Sequence, residues 1–269
     1  MILISSKGFS LVELLIAVAL SSLISLGLYG ALSSQQIIYS VQDDISEMQQ
    51  NLRLATERIS RDVSMAGFGR PSGLGSAAWP LLNGIAGLDY SIKITGTDCL
   101  DIVGCLDPPD GHCARELVKG TTCITLAQGE GANFNTSTKS DISIGGKENA
   151  KIVNVAGDTL TVDTNPLMSG NQGLAYNYAV GVPIYSVKYV TYSVDRSMQN
   201  ETMLRVDEHR GAGRQQVAQC VDIASATLSG NILDLILMGR TAKPDRTTNR
   251  YMYLQIQSRT YMRNLPTAH

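Results

Sequence analysis

From Phe9 to Leu32 the chain runs through 24 residues whose only side chain charged at neutral pH is Glu13. Coiled as a helix at about 1.5 Å per residue, that run is roughly 36 Å long, enough to cross a hydrocarbon core of about 30 Å. Beyond it the pattern turns from uniformly apolar to striped. Val41, Ile45, Met48, Leu52, Ile59 and Val63 recur at threes and fours, with Ala55 and Ala66 in the same stripe. That is the period of a helix with one buried face. Asp43, Asp44, Glu47, Arg53, Glu57, Arg58, Arg61 and Asp62 are assigned to the opposite, solvated face. Glu57 with Arg61, and Arg58 with Asp62, are opposite charges four apart, each pair worth about 0.2–0.5 kcal/mol. Gly67-Phe68-Gly69-Arg70-Pro71 supplies breakers in quick succession, so the helix is predicted to stop near Gly67. Phe9 to Ala66 is then one helix of roughly 85 Å.

The pattern after that is of another kind. Residues 69–83, with Gly69, Pro71, Gly73, Gly75 and Pro80, read as a flexible connection. Short β-type runs follow, separated by turn residues. Strands are predicted near Tyr90–Ile94, Leu100–Val103, Cys123–Leu126, Ile142–Ile144, Pro183–Val194, Met203–Val206, Ile232–Met238 and Tyr251–Leu265. Lys151–Val155 and Thr159–Val162, joined by Ala156-Gly157-Asp158, form the clearest hairpin. No helical pattern intervenes, which points to antiparallel sheet. The predicted class is α+β: a long N-terminal helix packed on an antiparallel β-sheet head.

Composition adjusts this picture in two places. The net charge is −2 and the pI about 5.9, so no basic field attracts nucleic acid and no polybasic segment anchors to lipid headgroups. Five cysteines, at 99, 105, 113, 123 and 220, beside an export-type N-terminus favour disulfides formed outside the cytoplasm.

Glu13 is the sharpest chemical feature. A cleaved secretory signal carries its charges before the apolar region and a small-x-small site after it. Here Ser33-Ser34-Gln35-Gln36 follows, and the carboxylate lies inside the apolar run. Left unpaired in lipid, that carboxylate costs at least a few kcal/mol. A neighbouring subunit's N-terminal amine, brought alongside in a helical bundle, can neutralise it. Such a pair is strong at low dielectric and sensitive to axial register, so it can select the stagger between subunits.

Gly8-Phe9-Ser10-Leu11-Val12-Glu13-Leu14 resembles the processing site of type IV prepilins and pseudopilins. The resemblance implies cleavage after Gly8 by a prepilin peptidase, N-methylation of Phe9, and subunit docking through Glu13. It also implies a pilin-like organisation: leader 1–8, transmembrane and filament-core helix 9–32, amphipathic stalk 33–67, and a periplasmic head 68–269. The leader Met1–Gly8 has a single Lys and is less basic than is usual for the family. Tyr39-Ser40-Val41-Gln42-Asp43, Met48-Gln49-Gln50-Asn51-Leu52-Arg53 and Ile59 to Phe68 are similar to the stalk of the PilW group of minor pilins. The GspJ minor pseudopilins share the general pattern. The partners this implies are other minor pilins, the major pilin, the prepilin peptidase and the inner membrane. Two machines are compatible with it, a type IV pilus whose minor pilins prime and tip the filament, or a type II secretion pseudopilus. A filament-borne adhesin is a third reading, with the Gly-rich and cysteine loops as contact sites.

Nothing else in the chain reads as catalytic or cofactor-binding. Cys99, Cys105, His112, Cys113 and Cys123 could in principle close a zinc site, but there is no C-x-x-C knuckle. A disulfide between Cys105 and Cys113, clamping Leu106 to His112, is preferred, worth about 2–4 kcal/mol. Cys99 with Cys123 is then the natural second bridge and Cys220 falls outside both, although five cysteines allow fifteen two-bridge arrangements. Asp158 and Asp163 flank a strand and Asp107 and Asp110 share a turn, without the spacing of a calcium loop. His112, His209 and His269 are far apart in sequence, and no hydrolase, P-loop or dinucleotide motif occurs. Asn135-Thr136-Ser137 and Asn200-Glu201-Thr202 fit the glycosylation sequon and are read as plain loop residues.

Overall fold

The computed structural model describes residues 10–70, 91–166, 168–198, 201–245 and 248–263. Gly8, Phe9, most of the 69–83 connection, Tyr90, Asn200 and the end of the last predicted strand lie outside the described residues. Helix α1 (Leu11–Met65) is continuous over 55 residues. It stops where the breakers stand: Ala66 leaves helical geometry, and Gly67 and Gly69 take left-handed φ of 76° and 83°, which glycine adopts without a Cβ penalty. The apolar N-terminal half is exposed throughout, whereas Met48, Leu52, Ala55, Ile59, Asp62 and Val63 are buried.

The strands fall into two structures. The first is the layer on which the helix lies. It contains β1 (Ile92–Thr95), β2 (Cys99–Gly104), β9 (Lys188–Met198), β10 (Glu201–Asp207) and β11 (Arg214–Gln219), hydrogen-bonded in the order β1-β2-β9-β10-β11. Beside them β12 (Val221–Ser229), β13 (Ile232–Arg240) and β14 (Tyr253–Tyr261) form a three-stranded antiparallel sheet in sequence order. On β13, Leu233, Leu235 and Leu237 are buried at alternate positions, the period of a strand with one covered face. These leucines share one core with Leu52, Ala55, Ile59 and Val63 of α1 and with Leu100, Ile102, Leu204 and Val206 of the larger sheet.

The second structure is inserted between β2 and β9. It comprises β3 (Gly111–His112), β4 (Cys123–Thr125), β5 (Asp141–Ile144), β6 (Glu148–Ala156), β7 (Thr159–Asp163) and β8 (Pro183–Ser186), in the order β3-β8-β5-β6-β7-β4. Its two ends meet. Cys113 bridges Leu126, the Ala114 N–H donates to the Thr125 carbonyl (2.8 Å), and the Ala127 N–H donates to the His112 carbonyl (2.9 Å). The sheet thus closes on itself as a small barrel, which removes its unpaired edges. Ile124, Ile142, Ile144, Ile152, Leu160, Val162 and Ile184 fill the interior.

Single residues switch the chain between sheets. Pro183–Val194, predicted as one strand, divides at Val187 into β8 of the barrel and β9 of the layer, with the Val187 N–H donating to Asp141 (2.8 Å). Cys220, at a left-handed φ of 54°, makes the same change between β11 and β12. The 151–162 hairpin is present as β6 and β7.

Candidate assembly site

Two stretches of α1 face different surroundings, and each is built from its sequence. At the start, Ser10 is the N-cap in extended geometry and Glu13 sits at N3. The Ser10 N–H donates to Glu13 Oε2 at 3.2 Å, the carboxylate-to-amide arm of a capping box. In the lone chain Glu13 is therefore satisfied locally, on the helix end that favours a negative charge. The apolar side chains after it lie open: Leu15 is 61% exposed and Leu26 69%. The hydroxyls in this stretch fold back onto the helix, with Ser21 donating to the Ala17 carbonyl (2.7 Å), Ser25 to Ser21 (2.8 Å) and Ser34 to Gly30 (3.0 Å). Those bonds suit a medium without water.

The second stretch is clamped to the head. Asp62 is only 5% exposed, and the Tyr192 hydroxyl of β9 donates to its Oδ2 at 2.6 Å. Burial pushes the Asp62 carboxyl above its ordinary value, against the opposing pull of the Tyr192 hydroxyl, Arg61 and Arg58. Ser60 meets Ser258 (3.0 Å) and Thr260 (3.1 Å) of β14. The helix end is spliced into β2: the Gly67 N–H donates to Val103 (2.9 Å) and the Cys105 N–H to Phe68 (3.0 Å). A Cβ on Gly104 would stand 2.9 Å from the Met65 carbonyl oxygen and 3.1 Å from the Gly67 nitrogen, so glycine is required there. Gly239 has the same function on β13, where a Cβ would lie 2.7 Å from Leu52.

This joint corrects the assignment of Asp62 to the solvated face. The charge pattern concealed it, but the spacing shows it: 48, 52, 55, 59, 62 and 66 alternate by four and three. The predicted i,i+4 pairs are replaced as well. Arg58 reaches Glu208 at 3.5 Å, and Arg61 leans on Asp62 at 3.5 Å.

Residues 4–29 match the family model described as the prokaryotic N-terminal methylation motif. This is a type IV prepilin-like N-terminus. No curated protein and no solved structure matches the chain. The prepilin-like segment and the exposed apolar helix together fit a membrane-anchored, single-pass protein, and the motif points to a structural role rather than an enzymatic one.

The remaining candidates are scattered over the head. Cys99, Cys105, Cys113 and Cys123 are separate thiols, so neither predicted bridge is formed in this structure. The fold gives the reason. Cys99 is on β2 of the layer and Cys123 is exposed on β4 of the barrel. Cys105 packs with Val103 and Val187 at the joint between them, whereas Cys113 belongs to the barrel interior. Burial pushes the Cys105 thiol up to about 12 and that of Cys113 to about 11, so both are held as inert thiols. Among the described residues no cluster of three or more His, Cys, Asp or Glu could hold a metal. His112 pairs with Glu130 (3.2 Å), and Asp158 accepts from the Gly129 and Gly131 amides at 3.0 Å, so these groups fasten the barrel's turns.

Proposed function

We propose that this chain is a minor pilin of a type IV pilus, similar to the PilW group, that joins other minor pilins in a complex priming and tipping the filament. The observation that carries the reading is the division of α1. One helix is clamped to the head by a buried charge and two glycine contacts over its C-terminal part, and over its N-terminal part offers only an exposed apolar cylinder bearing Glu13. Cleavage after Gly8 and methylation of Phe9 would place a new amine four residues before that carboxylate. Docking exchanges Glu13's bond to its own Ser10 amide for a neighbour's terminal amine, which lends register specificity to helix packing. In this proposal the head lies in the periplasm until assembly, and the partners are other minor pilins, the major pilin and the prepilin peptidase. A large two-part head suits a tip subunit, above which no neighbour stacks.

Three measurements test this. The intact mass of the protein from its native membrane should show loss of eight residues and gain of one methyl group. Deletion of the gene should abolish pili and twitching; loss of exoprotein secretion with pili intact would instead assign the chain to a type II secretion pseudopilus. Glu13→Leu should leave the protein processed and membrane-bound but outside filaments, and normal incorporation would refute docking through Glu13.

A further inference from the structure

A groove of about 440 Å³ runs along the junction between barrel and layer. It is lined by Thr136, Ser137 and Thr138, by Lys151 of β6, and by His209 and Arg210 of the β10–β11 turn. The geometry points to a binding site for an acidic polysaccharide, with a sugar carboxylate held between Arg210 and Lys151 and the sugar hydroxyls on the threonine and serine side.

The charges carry the argument. No acidic residue lines the groove. The carboxylates around it are engaged elsewhere: Asp107 with Lys188, Glu208 with Lys188 (3.6 Å) and Arg58 (3.5 Å), Asp110 with Lys139 (2.6 Å), and Asp141, opposite Lys151 on β5, with the Ser140 hydroxyl (2.9 Å). Asp163, opposite Lys151 across the β6–β7 ladder, accepts the amides of Asn165 (3.0 Å) and Gln172 (2.9 Å). Among the described residues neither Arg210 nor Lys151 has a carboxylate oxygen within 4.0 Å. Arg210's one hydrogen bond there is a long one, 3.5 Å, to the Val187 carbonyl. Burial lowers its affinity for a proton despite the fields of Glu208, Asp107, Asp110 and Asp141, which marks a half-desolvated cation short of a counter-ion. A planar guanidinium in that state is a bidentate carboxylate receptor.

The walls are preformed. Asn135 Oδ1 accepts the amides of Ser137 (3.0 Å), Thr138 (2.7 Å) and Lys139 (3.0 Å), which fixes the hydroxyl-bearing loop. His209 stacks on Tyr189 with centroids 4.2 Å apart, and its Nε2 lies 2.8 Å from Thr191 Oγ1. The Thr191 proton goes to Asp101 (2.7 Å), so the imidazole Nε2 carries its own hydrogen. Peptide recognition is disfavoured because the lining lacks a large apolar side chain to anchor one. A nucleic acid is disfavoured because no Phe, Tyr or Trp lines the groove to stack a base. The site does not depend on which filament the protein enters.

The test uses the full-length protein in neutral detergent at physiological salt, titrated calorimetrically with tri-galacturonate, maltotriose and inorganic sulfate. Tri-galacturonate is expected to bind, maltotriose not, and sulfate at least roughly tenfold more weakly. Lys151→Gln and Arg210→Gln should each weaken tri-galacturonate binding roughly tenfold, the loss of one charge-assisted contact, while Lys119→Gln leaves it unchanged. Should Arg210→Gln fail to melt cooperatively, the solvent-accessible Lys151→Gln decides. No binding by the wild type, sulfate binding as tight as tri-galacturonate, or a Lys151→Gln affinity equal to wild type overturns the proposal.

Discussion

The helix-bearing layer and the inserted barrel solve the same problem in opposite ways. Each layer sheet is open and covers its inner face with something else: α1 over β13 and β14, and the larger sheet alongside. The barrel covers itself, with a closed ladder and an interior composed of its own strands and the loops between them, Leu117, Phe134, Leu174 and Tyr178 among them. The layer therefore depends on residues far away in sequence, while the barrel depends on contacts within residues 111–186. The difference shows which part is dispensable. Gly104 at the end of β2 and Lys188 at the start of β9 are direct ladder partners, so the whole insertion grows out of one hairpin turn. Replacing Cys105 to Val187 by Asn-Gly, a two-residue hairpin loop, should remove every barrel signal yet leave a cooperatively melting helix and layer. Circular dichroism and a thermal scan check this; a variant without a melting transition would show that the layer needs the barrel.

Core truncations sharpen the comparison. Leu52→Ala and Ile152→Ala, each emptying a fully buried site, should cost about 2–5 kcal/mol. Hydrogen exchange should place the first loss in α1, β13 and β14 and the second in the barrel alone. Equal loss of protection in both halves would mean one cooperative unit. The Asp62–Tyr192 bond is the next step down. Tyr192→Phe strips the donor from a buried carboxylate, for about 1–3 kcal/mol. Asp62→Leu combined with Tyr192→Phe should recover most of that, because two matched apolar groups need no partner.

The division between the halves also explains what could be read in advance. The membrane-length run, the stripe and the Gly67 stop are local patterns in one helix, and most strands carry their own alternation. β12 (Val221–Ser229) escaped because Ala, Ser and Thr fill it, and only Val221 and Ile223 are buried apolar positions. Barrel closure rests on backbone bonds between 112–114 and 125–127, and no local pattern pairs those two stretches. The cysteine pairing rests on proximity in sequence, whereas in the fold Cys105 packs at the layer–barrel joint and Cys113 in the barrel interior. Asp62 is legible only when spacing is allowed to outrank charge.

Acid should separate the halves in the same order. In the barrel, His112, Gly129 and Gly131 hold Glu130 and Asp158 below their ordinary values, and Lys139 and Ser186 outweigh burial to do so for Asp110. Groups of this kind contribute stability above the ordinary carboxylate range, and it is lost as pH falls through their lower folded values. Asp62 has the opposite sign. Its raised value means that folding is weakened as pH climbs from 3.8 through the folded value, so acid relieves the helix joint. The layer has lowered carboxyls too, Asp98 beside Arg196 and Asp195 beside Ser197, but both lie away from the helix. At about pH 3, hydrogen exchange should therefore show barrel amides opening before those of residues 52–63 in α1. The reverse order would contradict the assigned shifts.

The smallest effect belongs to the surface, and it is a control on the role of burial. Arg259 and Asp234 are direct partners across β13 and β14 and form a two-pronged pair, at 2.6 and 3.2 Å. The shorter of those bonds equals the Tyr192–Asp62 bond in length. The surroundings differ: the Arg259 side chain is 61% exposed, whereas Asp62 is walled in by the core. Water and salt stand ready to replace the exposed partner, so geometry alone contributes little there. Arg259→Gln should leave the melting temperature within measurement error, at low and high salt alike, while Tyr192→Phe lowers it clearly. If the two variants shifted it equally, bond geometry rather than desolvation would set the strength of the helix joint, and the contrast between a clamped stalk and a solvated sheet face would lose its physical basis.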